Sequence, residues 1–231
     1  VPKENGSWRN ISNSPGVADR YPSWSADGQK IAWFSDASGE YQLVVADQLG
    51  TIEKSIKLNT PSFYFYPVWS SDNRHIAFTD KDYSLYVYDT EKGQLKKVDT
   101  DLYANPDRSL LPVWSPDGKW VAYARRLPNQ LRSIFVYDLS SGTTKAITDP
   151  LADAIDPVWD VGGEWLFFLA STDFGVASGW LDMTSYDKPV SRAIYASVLS
   201  STGKSPLLPQ SDEEKSTKDS TDKSVKSKII K

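Results

Sequence analysis

The sequence predicts an all-β chain, an incomplete β-propeller of four four-stranded blades of about 45 residues plus one strand of a preceding blade. Three observations predict it. First, YPSWSADGQKIAWF, YPVWSSDNRHIAFT, LPVWSPDGKWVAYA and DPVWDVGGEWLFFL align, and their tryptophans, Trp24, Trp69, Trp114 and Trp159, follow one another at intervals of 45 residues. Second, each tryptophan precedes a turn pair: Asp27-Gly28, Asp72-Asn73, Asp117-Gly118 or Gly162-Gly163. Such pairs tolerate the positive φ that a tight hairpin demands. Third, an apolar run follows every turn pair. A tryptophan-and-turn signature at this period, with room for four strands in each unit, belongs to a propeller.

The strands follow in order within each unit. The first ends at the tryptophan. The second is Ile31-Ala32-Trp33, Ile76-Ala77-Phe78, Val121-Ala122-Tyr123 or Leu166-Phe167-Phe168, and the small central alanine of three units suits a position pressed against a neighbouring sheet. The third closes at Asp47, Asp89 and Asp138, with Leu199 ending it in the last unit. A fourth begins after Gly50, Gly93, Gly142 and Gly203. The blades therefore span about 21–58, 66–98, 111–148 and 156–208, within a partial propeller covering 1–210. Residues 7–12 (SWRNIS) read as the last strand of a preceding blade, so the four units form an arc of a larger ring. The segment 211–231 is charged, rich in serine and threonine and nearly free of apolar residues, which predicts a flexible linker.

Composition narrows the chemistry. A formal charge of −4 and a pI near 5.1 provide no basic field for nucleic acid or anionic lipid, so neither is an expected partner. The longest purely apolar run, Trp165 to Ala170, is far short of the ~20 residues of a transmembrane helix. The absence of cysteine removes thiolate metal sites and thiol nucleophiles. A single histidine, His75, occupies a second-strand position that other units fill with Lys30, Trp120 and Trp165, so it reads as a surface or edge residue rather than a catalytic base. No Gly-x-Ser-x-Gly elbow is present. Asp149, Asp153, Asp156 and Asp160 crowd the fourth first strand, but their spacing fits no calcium loop and reads as turn capping. No catalytic residue, metal ligand or cofactor site is expected.

Two regions are candidates for function. The loops entering the first strands end in DRYP, YFYP, RSLLP and AIDP and converge near one mouth of a propeller channel. Arg20, Tyr66, Arg108 and Asp156 are the candidate contacts there. The insertion 171–191, STDFGVASGWLDMTSYDKPVS, separates the second and third strands of the last blade and is longer than a hairpin requires. Its Trp180 and Met183 are candidates to cover a partner interface.

The motif WSxDGxxIA resembles the repeats shared by the propellers of TolB, the prolyl oligopeptidases and the tricorn proteases. GVADRYPSWSADG, FSDASGEYQL, TPSFYFYPVWS, RRLPNQLRSIFVYD and FLASTDFGVASGWLDMTSYDKPVSR together resemble the propeller region of tricorn-type proteases, bacterial or archaeal, over roughly residues 8–214. The resemblance implies a segment of a multidomain serine peptidase acting on oligopeptides, in which propellers precede a PDZ-like domain and a separate catalytic region. The implied role is to gate or filter peptide substrate and to scaffold the peptidase. Its partners would be peptides and the remaining blades and peptidase domains of the parent chain. The family's serine and histidine lie in the later domains, so no catalytic residue maps onto this chain. A TolB-like interaction module with no peptidase attached is the alternative, and the cap of a prolyl-oligopeptidase relative is a third. A cytoplasmic location is expected, with a periplasmic or exported one as the alternative because the true N-terminus is not visible.

A broken ring has terminal blades with an unpaired face, which favours association. The isolated chain is expected to form homo-oligomers or aggregates in sedimentation velocity. A monodisperse monomer that unfolds cooperatively would contradict the arc.

Overall fold

A computed structural model describes residues 9–58, 60–103, 110–174, 190–200 and 203. Its regular elements are all strands. The first blade comprises β1 (Asp19–Trp24), β2 (Lys30–Ser35), β3 (Gln42–Asp47) and β4 (Ile52–Lys57). The second comprises β5 (Tyr64–Trp69), β6 (His75–Asp80), β7 (Ser84–Asp89) and β8 (Gln94–Thr100). The third comprises β9 (Val113–Trp114), β10 (Trp120–Arg126), β11 (Arg132–Asp138) and β12 (Thr143–Ala146). The fourth comprises β13 (Asp153–Trp159), β14 (Trp165–Ser171) and β15 (Ala193–Val198). Each sheet is an antiparallel meander in chain order, with three four-stranded sheets and one that has three strands among the described residues. The fourth strand expected after Gly203 lies outside those residues, as do the linker 211–231 and most of the insertion.

The hairpin joining the first two strands of a blade follows from its sequence. In blade one the Ser25 amide donates to the Lys30 carbonyl and the Gly28 amide to the Ser25 carbonyl, both at 2.9 Å. Asp27 accepts from the Ser25 hydroxyl at 2.6 Å and from the Gln29 amide at 3.0 Å, which closes the loop from within. Ser70 and Asp72 do the same in blade two, and Ser115 and Asp117 in blade three. Gly28, Asn73, Gly118 and Gly163 take φ of 69°, 61°, 70° and 71°, the left-handed region that glycine and asparagine enter at least cost.

Strand alternation then sends successive residues to opposite neighbours. Ala32, Phe34, Leu43 and Val45 of blade one meet Trp69, Ile76, Phe78 and Tyr88 of blade two in one core. Ala77, Leu85 and Val87 of blade two meet Trp114, Val121, Tyr123 and Tyr137 of blade three. Ala122, Ile134 and Val136 of blade three meet Ala154, Leu166 and Ala170 of blade four. Most of the core is therefore three interfaces between sheets, with a small fourth cluster on the outer face of blade one.

The tryptophans lock these interfaces. The Trp69 indole N–H donates to the Ser23 carbonyl at 3.1 Å, Trp114 to Val68 at 3.0 Å and Trp159 to Val113 at 3.1 Å. Each ring thus reaches back to the carbonyl just before the preceding blade's own tryptophan. Trp24 has no preceding blade here and is 49% exposed, against 7% for Trp69 and Trp114. The four repeated tryptophans are therefore not equivalent, and Trp24 is not a core residue.

Two further expectations change. Residues 9–12 form no strand. Asn13 has φ of 43° and its amide bonds the Asn10 side chain, while Arg9 donates to the Leu49 carbonyl, so the segment turns over the outer face of blade one. There it borders Ile31, Trp33, Val44 and Ala46, which are buried although no sheet covers them. The first strands also begin upstream of their prolines, at Asp19, Tyr64 and Asp153. A bulge carries each strand through: the register shifts between Arg20 and Ser23, Phe65 and Val68, and Ile155 and Val158.

Trp114→Ala is expected to lower the unfolding free energy by ~3–5 kcal/mol, because it removes a buried ring and leaves the Val68 carbonyl unpaired. Trp24→Ala should cost under ~1 kcal/mol. Urea unfolding of the two variants checks the difference, and equal losses would refute the interlock.

Candidate functional site

The pairing registers place the two candidate regions on one edge. Asp19 pairs with Ser35 and Ser35 with Gln42, so the entrance of β1 and the loop between β2 and β3 lie side by side. In blade four Asp153 pairs with Ser171 and Ala170 with Ala193, so the insertion springs from the same edge. We call this edge the rim.

At the rim Arg20 and Tyr66 join one aromatic patch between blades one and two. The Arg20 guanidinium lies 5.7 Å from the Tyr41 ring centroid and 5.9 Å from that of Phe63. Tyr41 and Phe63 are 5.5 Å apart. Tyr21 bridges to the other side, 4.6 Å from Tyr66 and 5.9 Å from Phe65. Phe63 is 50% and Tyr66 39% exposed, so the patch offers apolar ring area to solvent next to a cation. Such a surface can stack on a planar or apolar group while the guanidinium takes a carboxylate or carbonyl.

The bulges set what each blade shows there. Tyr21, Tyr66 and Asp156 occupy one repeat position, with φ of 54°, 45° and 52°. The following prolines Pro67 and Pro157 are buried, while Tyr66 and Asp156 remain exposed. Asp156 thus puts a carboxylate on blade four where the first two blades carry tyrosines, and it is not part of the aromatic patch. Arg108, Trp180 and Met183 lie outside the described residues.

The stems of the insertion are clamped by a charge cluster. The buried Asp153 carboxylate accepts from Arg132 Nε at 2.9 Å and Nη2 at 2.7 Å, and lies 2.8 Å from Arg192 Nη2. Both guanidiniums lie over the Phe174 ring, at 5.3 and 5.4 Å. The Ser191 hydroxyl donates to Asp173 at 2.9 Å. Burial alone raises the Asp153 pKa, but the hydrogen bonds and charge of Arg132, with Arg192, hold it below the usual carboxylate range. The insertion is therefore mounted on a rigid base.

The remaining ionisable candidates have structural partners. Asp149 caps the Leu151 amide at 2.8 Å, and Asp160 accepts from the amides of Trp165 and Gly162 at 2.7 and 2.9 Å. Asp80 is buried and holds the Ser84 amide and the Tyr86 hydroxyl, at 2.9 and 3.0 Å. His75 is not a surface residue: its side chain is mostly buried between blades two and three, against Trp114. Its nearest acidic oxygens are those of Asp89 and Asp72, at 3.7 and 3.9 Å. Sequence reasoning missed Tyr21, Tyr41, Phe63 and Phe65. The repetition of Tyr21 as Tyr66 was the available signal, whereas Phe63 has no repeat to mark it.

A sequence model described as the tricorn protease second beta propeller domain matches residues 1–231. Tricorn protease homolog 1 of Streptomyces coelicolor is 24% identical over 180 residues, covering 75% of this chain and 17% of that protein. A TolB homolog of Protochlamydia amoebophila is 33% identical over 140 residues, covering 55% of this chain and 29% of that protein. The chain thus spans less than a third of either relative. Among solved structures, the tricorn protease superposes with a TM-score of 0.57 at 18% identity, over 66% of this chain and 15% of that one.

Asp153→Asn should destabilise the chain by ~3 kcal/mol, the low end for breaking a buried pair, because both guanidiniums keep some solvent. In the wild type the depressed pKa contributes stability that is complete above the ordinary carboxylate pKa and is lost as pH falls through the folded value. Urea midpoints measured between neutral pH and pH 3 should therefore fall less steeply in the variant. An unchanged acid slope would remove Asp153 from the clamp.

Proposed function

This chain belongs to the tricorn protease second β-propeller family, and from that premise we propose that it is the non-catalytic propeller segment of a tricorn-like serine peptidase. In this reading it gates or filters oligopeptides on their way to the peptidase and scaffolds the parent's other domains. The observation that carries the reading is the aromatic patch at the rim. Arg20 and the exposed rings of Phe63 and Tyr66 suit extended peptides, which present carboxylates, carbonyls and apolar side chains in varying order. Stacking and cation–π contacts discriminate weakly, as a filter for diverse peptides requires. Asp156 adds a carboxylate at the repeat position that Tyr21 and Tyr66 occupy in the first two blades. The clamped stems of the insertion leave from the same edge.

A TolB-like interaction module is the second reading, favoured by the 33% identity to the TolB homolog. The two differ in what the parent carries, so the complete reading frame is the first test. A downstream peptidase domain supports the first reading and its absence supports the second.

In a peptidase-bearing parent, Tyr66→Ala combined with Phe63→Ala should alter kcat/KM for long peptides by about 3–10-fold while leaving a minimal chromogenic substrate unchanged. Equal kcat/KM for both substrate classes in variant and wild type would show that the patch does not filter.

A further inference from the structure

The three interfaces between blades are not equivalent at the edge opposite the rim. Register identifies the difference. Ile76 pairs with Tyr88, Val121 with Tyr137 and Leu166 with Ser197, so these third-strand residues occupy one position, each facing the preceding blade. Tyr88 and Tyr137 are buried and fill the first two interfaces. The third interface has Ser197 at that position. A cleft of about 640 Å³ lies there, walled by Trp120, Trp159, Val136, Ile147 and Leu199. That volume and an apolar wall with a few polar groups match a small-ligand site.

The charged groups at its mouth follow the same logic. Lys54, Lys96 and Lys145 pair with Val45, Val87 and Val136, and so share one position on the outer strands. The next blade satisfies the first two: Lys54 donates to the Thr90 carbonyl, and the Lys96 ammonium lies 5.4 Å from the Tyr137 ring centroid. The third interface has no tyrosine, and Lys145 lines the cleft with no hydrogen bond or ion pair among the described residues. Glu164 also lines it, with its carboxylate likewise unpaired among those residues. Asp117 is already engaged by the Ser115 hydroxyl and Lys119.

We propose that this cleft binds a short peptide with both termini free and a large apolar side chain. Trp120, Trp159 and Ile147 take the side chain, Lys145 the terminal carboxylate and Glu164 the terminal ammonium. An apolar ligand alone would leave both charges unused, and a ligand with a single charge would leave one of them unpaired. The site is distinct from the rim, being built by the β9–β10 and β13–β14 turns and the residues after β15.

The test is calorimetric titration of the dipeptide Leu-Phe into the full-length parent, with any peptidase activity blocked by a serine-directed phosphonate. Saturable binding should weaken at least fivefold on N-acetylation or C-terminal amidation. Lys145→Ala should weaken Leu-Phe at least fivefold yet leave its amide unaffected, and Glu164→Gln should do the same relative to the N-acetyl form. Ser197→Tyr, which restores the tyrosine of the other interfaces, should abolish binding. Should that variant fail to fold, the two exposed substitutions carry the test. Binding must survive Tyr66→Ala, which separates this site from the rim. No saturable binding at millimolar peptide, or equal binding of the blocked and free forms, overturns the proposal.

Discussion

The indole hydrogen bond from each blade to the blade before it is the constraint on which the rest of the structure depends. A four-stranded sheet with two apolar faces cannot stand alone in water, and these sheets meet through side chains that alternate along their second and third strands. Such contacts are non-directional and would allow the sheets to slide. The bonds from Trp69, Trp114 and Trp159 are directional, and each ends on the same carbonyl of its neighbour. They fix the height of every blade against the last. The rim and the opposite edge are consequently aligned rows, and any property of one repeat position becomes a property of an edge.

That alignment turns small repeat differences into sites. At the rim blades one, two and four share the bulge while its side chain changes from Tyr21 and Tyr66 to Asp156, so one backbone device presents different chemistry in different blades. At the opposite edge the Tyr88 and Tyr137 position becomes Ser197, and a filled interface becomes a cleft. Neither change disturbs the hairpin of blade four, because its turn is closed by Asp160, which accepts from the Trp165 and Gly162 amides and needs nothing from the interface.

The repeat, the turns and the order of strands were legible in the sequence because they are local and recur four times. The strand limits were less so: a proline reads as a strand start, since it lacks an amide, yet Pro22, Pro67 and Pro157 sit at bulges that their strands pass through. The four tryptophans read alike, and Trp24 differs from the others because no sheet precedes blade one among the described residues. Among candidate site residues, Arg20 and Tyr66 were found because they precede the repeated motif. The clamp was not, because Asp153 takes partners 21 and 39 residues away with no periodicity to link them. Ser197 could be matched to Tyr137 only through register, as the insertion displaces the last third strand from the 45-residue frame.

The two ends of the arc are finished differently, and the difference bears on what adjoins them. Blade one buries Ile31, Trp33, Val44 and Ala46 beside its own N-terminal segment. Blade four leaves Val158 56% and Ile194 75% exposed on its far face. Pairing puts Val158 beside Phe167 and Ile194 beside Leu169, so these residues form one apolar surface. Phe167 occupies the position of Ala32, Ala77 and Ala122, the fully buried alanines that let each following sheet approach closely. A sheet packed on blade four must therefore meet a phenylalanine where the earlier interfaces meet a methyl group, and it cannot reproduce their spacing. The repeat that builds the arc is therefore no longer regular at the far face of blade four.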